Sequence, residues 1–182
     1  MPRVPQPLTR ILFLTLLTSV MLPTYGCSAP EIENGAPYLC QVIPKDAVRL
    51  VSRPDDEGSA IEEKVLEGNF SGDFYSCIAE KGFSDLGYQH WRGEPTGQAR
   101  EGMLSLTGEY AEPVPSSMGE GYVDLVGSPG WVYWRCDGER ILSRISYPGE
   151  RDRDEQQDVL RLLEIAQQRY AELNDCEIRP PK

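Results

Sequence analysis

Trp131-Val132-Tyr133-Trp134-Arg135-Cys136-Asp137-Gly138-Glu139-Arg140-Ile141-Leu142-Ser143-Arg144-Ile145 decides the fold of this chain. Two runs rich in aromatic and β-branched residues flank Asp137-Gly138. Asp-Gly suits a tight primed turn, because both central residues can take positive φ, so the stretch predicts a β-hairpin. Side chains alternate across a strand. Trp131 and Tyr133 therefore point one way, and Val132, Trp134 and Cys136 the other. Ser128-Pro129-Gly130 ahead of the hairpin reads as another turn.

Downstream, Asp152 with Glu155 forms a D-x-x-E helix start. Val159, Leu162, Leu163, Ala166, Tyr170 and Leu173 then recur at three- and four-residue steps, which makes one apolar stripe. Asn174 and Asp175 end it before Cys176. The face carrying Cys136 is expected to meet this helix, which makes Trp134 a core residue. Trp131 and Tyr133 then form a candidate ligand face, free to stack on a sugar ring, a lipid or a partner protein. The blander alternative is that they cover a second layer or stiffen the sheet, since single exposed apolar residues are normal.

Upstream, the pattern has period two from Asn69 onward. Phe70, Phe74 and Ile78 are expected on one face of a strand and Cys77 on the other. Leu86, Tyr88 and His90 alternate in a second strand; Met103 to Leu106 and Tyr122 to Val126 supply two more. The Pro-rich stretch Gly108 to Gly121 reads as a long loop. Pro44 opens a short helix with Ala47, Val48 and Val51 on one side. Ser59-Ala60-Ile61-Glu62 has the form of a capping box and predicts a second short helix to Gly68, although Val65 and Leu66 equally suit a strand. The expected fold class is α+β: a twisted antiparallel sheet of five or six strands, a long C-terminal helix packed on one face, and short N-terminal helices. Residues 39–178 are expected to form a single domain, with residues 179–182 as a tail.

The N-terminus predicts export. Arg3 and Arg10 precede the apolar run Ile11 to Leu22, 12 residues long, and Pro23-Thr24-Tyr25-Gly26-Cys27 follows. A membrane-spanning helix needs about 20 residues, so residues 1–26 read as a cleaved signal peptide. Cys27 at the cut site is the expected lipidation residue, which would tether the mature chain to the outer face of the cell membrane. Simple secretion is the alternative, because Thr24 and Gly26 also suit ordinary signal cleavage. Residues 27–38, with Pro30, Gly35 and Pro37, read as an extended tether.

The chain has five cysteines: Cys27, Cys40, Cys77, Cys136 and Cys176. Giving Cys27 to lipid leaves four, which in an oxidising compartment make two bridges in one of three pairings. Cys40–Cys77 and Cys136–Cys176 are favoured. The second would clip the final helix to the sheet, since Cys136 ends a strand and Cys176 follows the helix.

Removing residues 1–26 takes away Arg3 and Arg10 and no acid. It leaves 16 basic residues of the chain's 18 and all 29 acidic ones, a net charge of −13. This argues against nucleic acid as a partner, because phosphate binding needs clustered Lys and Arg. The only histidine, His90, falls in a strand pattern. It is expected to be partly buried and hydrogen-bonded rather than a catalytic base. No nucleophile elbow, zinc signature or phosphate loop is present, so no catalytic residue is assigned. Asp55-Asp56-Glu57 and Asp152-Arg153-Asp154-Glu155 lack calcium-loop spacing, so no metal and no cofactor are expected.

The Tyr25-Gly26-Cys27 boundary, Leu39-Cys40 before a short helix, Cys77 in a strand and a closing helix ending in Cys176 resemble the small secreted lipoproteins of actinobacteria, several of which are domains of unknown function. The resemblance implies a cell-envelope location and a two-bridge domain, and carries over no catalytic residue. The expected function is a non-enzymatic binding or envelope-interaction domain with an envelope protein or glycan as partner. The alternative is a small carboxylate-dependent hydrolase acting on wall material.

Overall fold

A computed structural model describes residues 30–93, 111–124, 129–148 and 153–180. The chain opens with a short ladder of β1 (Tyr38–Leu39) and β2 (Ile43–Pro44), then helix α1 (Lys45–Val51) and a 3-10 turn at Pro54–Asp56. The main sheet is built from β3 (Ile61–Gly68), β4 (Phe74–Lys81), β5 (Ser84–Arg92), β6 (Ala111–Pro113), β7 (Glu120–Asp124), β8 (Pro129–Cys136) and β9 (Glu139–Ser146). Helix α2 (Glu155–Asn174) and the short β10 (Ile178–Arg179) close the chain. Every pairing is antiparallel, in the order β3-β4-β5-β9-β8-β7-β6, and β10 joins β8 beyond the end of β7.

The architecture is α+β with a large antiparallel sheet and a C-terminal helix. The sheet has eight strands, not five or six. The second N-terminal helix expected from Ser59 is instead β3, paired with β4 from Ile61↔Lys81 to Gly68↔Tyr75. A ladder along the whole element outweighs a local capping signal, because propensity is a weak prior against tertiary pairing. The expected strand Met103–Leu106 lies outside the described residues. The expected long loop contains β6.

The hairpin forms around Asp137 (φ 50) and Gly138 (φ 94), with Trp134 opposite Ile141. Helix α2 crosses the face bearing Val132 and Trp134. It packs directly on Gly130, where an added Cβ would lie 2.3 Å from Val159 Cγ1. Its cap is Asp154, whose carboxylate accepts the Gln157 N–H at 3.0 Å; the expected Asp152 lies outside the described residues. Val159, Leu162, Leu163, Ala166 and Tyr170 are buried, but Leu173, in the last turn of α2, is exposed. Phe70 does not share a face with Phe74 and Ile78. It precedes β4 and is buried against Tyr75, His90 and Tyr170 under α2.

Two disulfides brace this core. Cys40–Cys77 ties the first ladder to β4, and Cys136–Cys176 ties the exit of α2 to β8. The N-terminal stretch expected to be a tether lies on α2 from Pro30 onward. Ile32 is buried, and Arg161 Nε donates to its carbonyl at 3.0 Å. Arg153 donates to the Pro30 carbonyl at 3.0 Å, and the Arg169 guanidinium lies over the Tyr38 ring at 4.7 Å.

Candidate functional site

Strand register assembles two neighbouring rows on the sheet face turned away from α2. The first runs Phe74–Trp91–Leu142–Tyr133 across β4, β5, β9 and β8. The second runs Ser76–Gln89–Arg144–Trp131–Tyr122 across β4, β5, β9, β8 and β7. The first row is apolar as far as Tyr133, opposite which β7 places exposed Glu120; its Phe74 and Trp91 rings lie 5.0 Å apart. The second begins as a polar relay, in which Arg144 Nη1 donates to Gln89 Oε1 at 3.2 Å and Gln89 Nε2 donates to Ser76 Oγ at 3.1 Å. It ends in the Trp131–Tyr122 contact at 5.5 Å. Arg135 follows Tyr133 on the same face. Burial raises the Tyr133 hydroxyl above its ordinary pKa, and the Arg135 cation partly opposes this.

Trp131 and Tyr133 both lie on this face, as their alternation with Trp134 requires. Their exposure differs: Tyr133 is half-buried, whereas Trp131 is 6% exposed. Trp131 is therefore no open stacking platform, and the accessible aromatic surface shifts to Tyr133, Trp91, Phe74 and Tyr122. Sequence reasoning left Trp91, Arg144 and Gln89 out. Period-two alternation shows which residues share a face within one strand. The pairing of β5 with β9, some 50 residues apart, has no local signal.

The covered face holds His90. It is fully buried, and neither ring nitrogen has a hydrogen-bond partner, contrary to the partly buried, hydrogen-bonded side chain expected. Phe70 and Tyr170 approach its ring edge-on at 5.0 Å each, and Tyr75 and Tyr88 flank it at 5.6 and 5.7 Å. Burial, then the Arg92 cation, lower its pKa to about 4; the Phe70 main chain opposes this without reaching hydrogen-bond geometry. Desolvation also raises Tyr75 to about 12. His90 is a neutral ring in an aromatic box, closed to substrate.

An acid-lined cleft of about 980 Å³ lies between the N-terminal stretch, the 115–118 turn and the start of α2. Its carboxylates already have partners. Asp158 accepts from Arg153 at 2.7 Å and from the Tyr147 hydroxyl at 2.6 Å. Glu164 pairs with Arg161 at 2.6 Å, Glu31 lies 4.0 Å from Arg161, and Asp154 caps α2. Asp56 is likewise buried, accepting from Phe83 N and Ser84 Oγ. Among the described residues no group of three or more His, Cys, Asp or Glu could hold a metal ion, and no helix is long and apolar enough to cross a membrane. Cys27 lies outside the described residues.

No protein-family model matches the chain, and no curated protein or solved structure does either.

Proposed function

We propose that this protein is a non-enzymatic binding domain of the cell envelope. It is held outside the membrane by lipid on Cys27 and takes an acidic glycan on the open face of its sheet. The observation that carries the binding reading is the pair of adjacent rows. Half-buried Trp91 and Tyr133 offer flat faces to the C–H side of a sugar ring. Arg144, already oriented by Gln89, offers a guanidinium to a carboxylate or phosphate on that ring. An apolar surface with a few oriented polar groups is the general form of a small-ligand site. The two bridges fit an oxidising exterior. A carboxylate hydrolase finds less support, because the cleft acids are engaged by arginines, a tyrosine hydroxyl and a helix terminus.

The test is titration of the mature domain with a uronate-bearing hexasaccharide and with its neutral counterpart. Heat and tryptophan emission are the readouts. The acidic sugar is expected to bind and shift the emission, with Arg144→Ala weakening it tenfold or more. Equal binding of both sugars would remove the anionic part of the proposal. No heat and no emission change with either would remove the whole.

A further inference from the structure

Exposed apolar residues in this molecule are concentrated at one end of the sheet. Four large hydrophobic side chains are exposed among the described residues, and three of them, Val65, Leu66 and Phe83, belong to β3 or to the turn beside it. Among the described residues β3 is the outermost strand, so one side of its backbone has no strand neighbour among them. It is eight residues long and contains no proline. Long edges without a paired neighbour invite another strand, and charges along them, as on β3, restrict which strand can pair. Here a register shift between Val65 and Glu67 leaves Ile61 to Val65 as a regular edge.

Phe83 is presented rather than merely left out. It is 84% exposed at the tip of the β4–β5 turn, and that turn is fixed from beneath. Asp56 accepts from Phe83 N at 2.9 Å and from Ser84 Oγ at 2.7 Å. Gly82 sits at φ 64, and an added Cβ there would lie 2.0 Å from Asp56 Oδ1. With the main chain of the turn already held, no backbone ordering is needed there when a partner arrives. Aromatics are over-represented among the anchors of interfaces.

Charge selects the partner. The edge carries exposed Glu62, Glu63 and Glu67 against one Lys64, on a chain of net charge −11 as written. A second copy would bring the same acids to the same edge. We infer that the outer edge of β3, with Phe83 at its end, docks an extended basic segment of another protein, which pairs with β3 as an added strand. Main-chain pairing would give affinity, and basic side chains on both faces of the added strand would meet Glu62 and Glu67 on one side and Glu63 on the other.

The experiment is selection of a random octapeptide library on the intact mature domain. Peptides combining basic residues on both strand faces with valine, isoleucine or aromatics are expected to enrich. The winning peptide should slow amide exchange across Ile61–Val65. It should weaken tenfold or more on E62K/E63K/E67K, and severalfold on Phe83→Ala, with thermal unfolding of both variants unchanged. N-methylation of alternate peptide amides should abolish binding. The inference is overturned if nothing enriches, if the winners carry no basic residues, or if the N-methylated peptide binds equally. It is also overturned if the domain alone forms a dimer that Val65→Lys dissolves.

Discussion

The strands of this sheet write two different surfaces from one alternating sequence. On the face under α2, Trp134, Tyr88 and His90 are fully buried, and the Trp134 ring meets the buried Tyr170 ring of α2 edge-on at 5.5 Å. On the opposite face, Tyr133, Trp91 and Phe74 are half-buried beside arginines. Composition alone does not separate the two, since both are rich in aromatics. Among the described residues a 20-residue helix covers one face and turns each ring there into stability, whereas the other, although it buries Leu142 and Trp131, keeps Tyr133, Trp91 and Phe74 half-accessible.

Breaking the covered face at its bridges has the largest expected effect. Cys77 and Cys136 both belong to that face, and the bridges span 37 and 40 residues. Closing loops of that length stabilises by about 4 kcal/mol each in the chain-entropy view. Domains of this size have about 5–15 kcal/mol in total. Reduction is therefore expected to leave the domain unfolded or marginal at 37 °C, read by circular dichroism with and without a thiol. A reduced domain as stable as the oxidised one would contradict this.

Neighbouring residues of β8 give the sharpest contrast between the faces. Trp134→Ala removes a buried ring and its indole N–H bond to Ser143 Oγ at 3.1 Å, and is expected to cost about 3–5 kcal/mol in urea unfolding. Tyr133→Ala, one residue earlier and on the other face, is expected to cost about 1 kcal/mol or less. Similar costs for the two would mean that the open face is a second core.

Acid separates the faces next. The folded His90 pKa of about 4 lies below its ordinary 6.5, so the unfolded chain binds the extra proton first. The stability this group contributes is complete above pH 6.5. It falls as pH drops from 6.5 to 4 and levels off below, a loss on the order of 3 kcal/mol. His90→Phe keeps a ring among the surrounding rings and removes the titration. Its unfolding free energy should vary less between pH 7 and pH 4 than that of the parent. Identical pH profiles would show that His90 does not titrate on unfolding.

How much of this was legible depends on whether the deciding contact was local. The Asp137-Gly138 turn and the 159–170 stripe of α2 carry their own signals, in positive-φ residues and helical spacing, and both elements formed. That four cysteines would make two bridges followed from their even count once Cys27 was set aside. β3 was obscured because Ser59 to Glu62 imitates a helix start and Glu62-Glu63-Lys64 breaks any alternation. Its strand character comes from β4 across the turn. The half-burial of Tyr133 against the burial of Trp131 was equally hidden. Both obey the same alternation, which fixes the face of a side chain and not how deeply it is covered. The docking of Ile32 on α2 likewise joins residues about 130 positions apart, beyond any local pattern.

Arg144 gives the smallest effect on stability and the most direct view of what the open face is for. Among the described residues its guanidinium donates to the neutral Gln89 amide in a partly exposed setting, a bond that pairs no two charges. A hydrogen bond of that kind has a net worth of about 0.5–1.5 kcal/mol, at the lower end when water can replace it. Arg144→Ala and Gln89→Ala should each change stability by about 0.5 kcal/mol, and a double-mutant cycle should return a coupling no larger. A coupling of several kcal/mol would make the pair a structural clamp of the sheet. Near-silence in stability, with loss of acidic-sugar binding in the same variants, is what a surface oriented for a ligand requires: the Gln89 contact then holds the guanidinium in place without the fold depending on it.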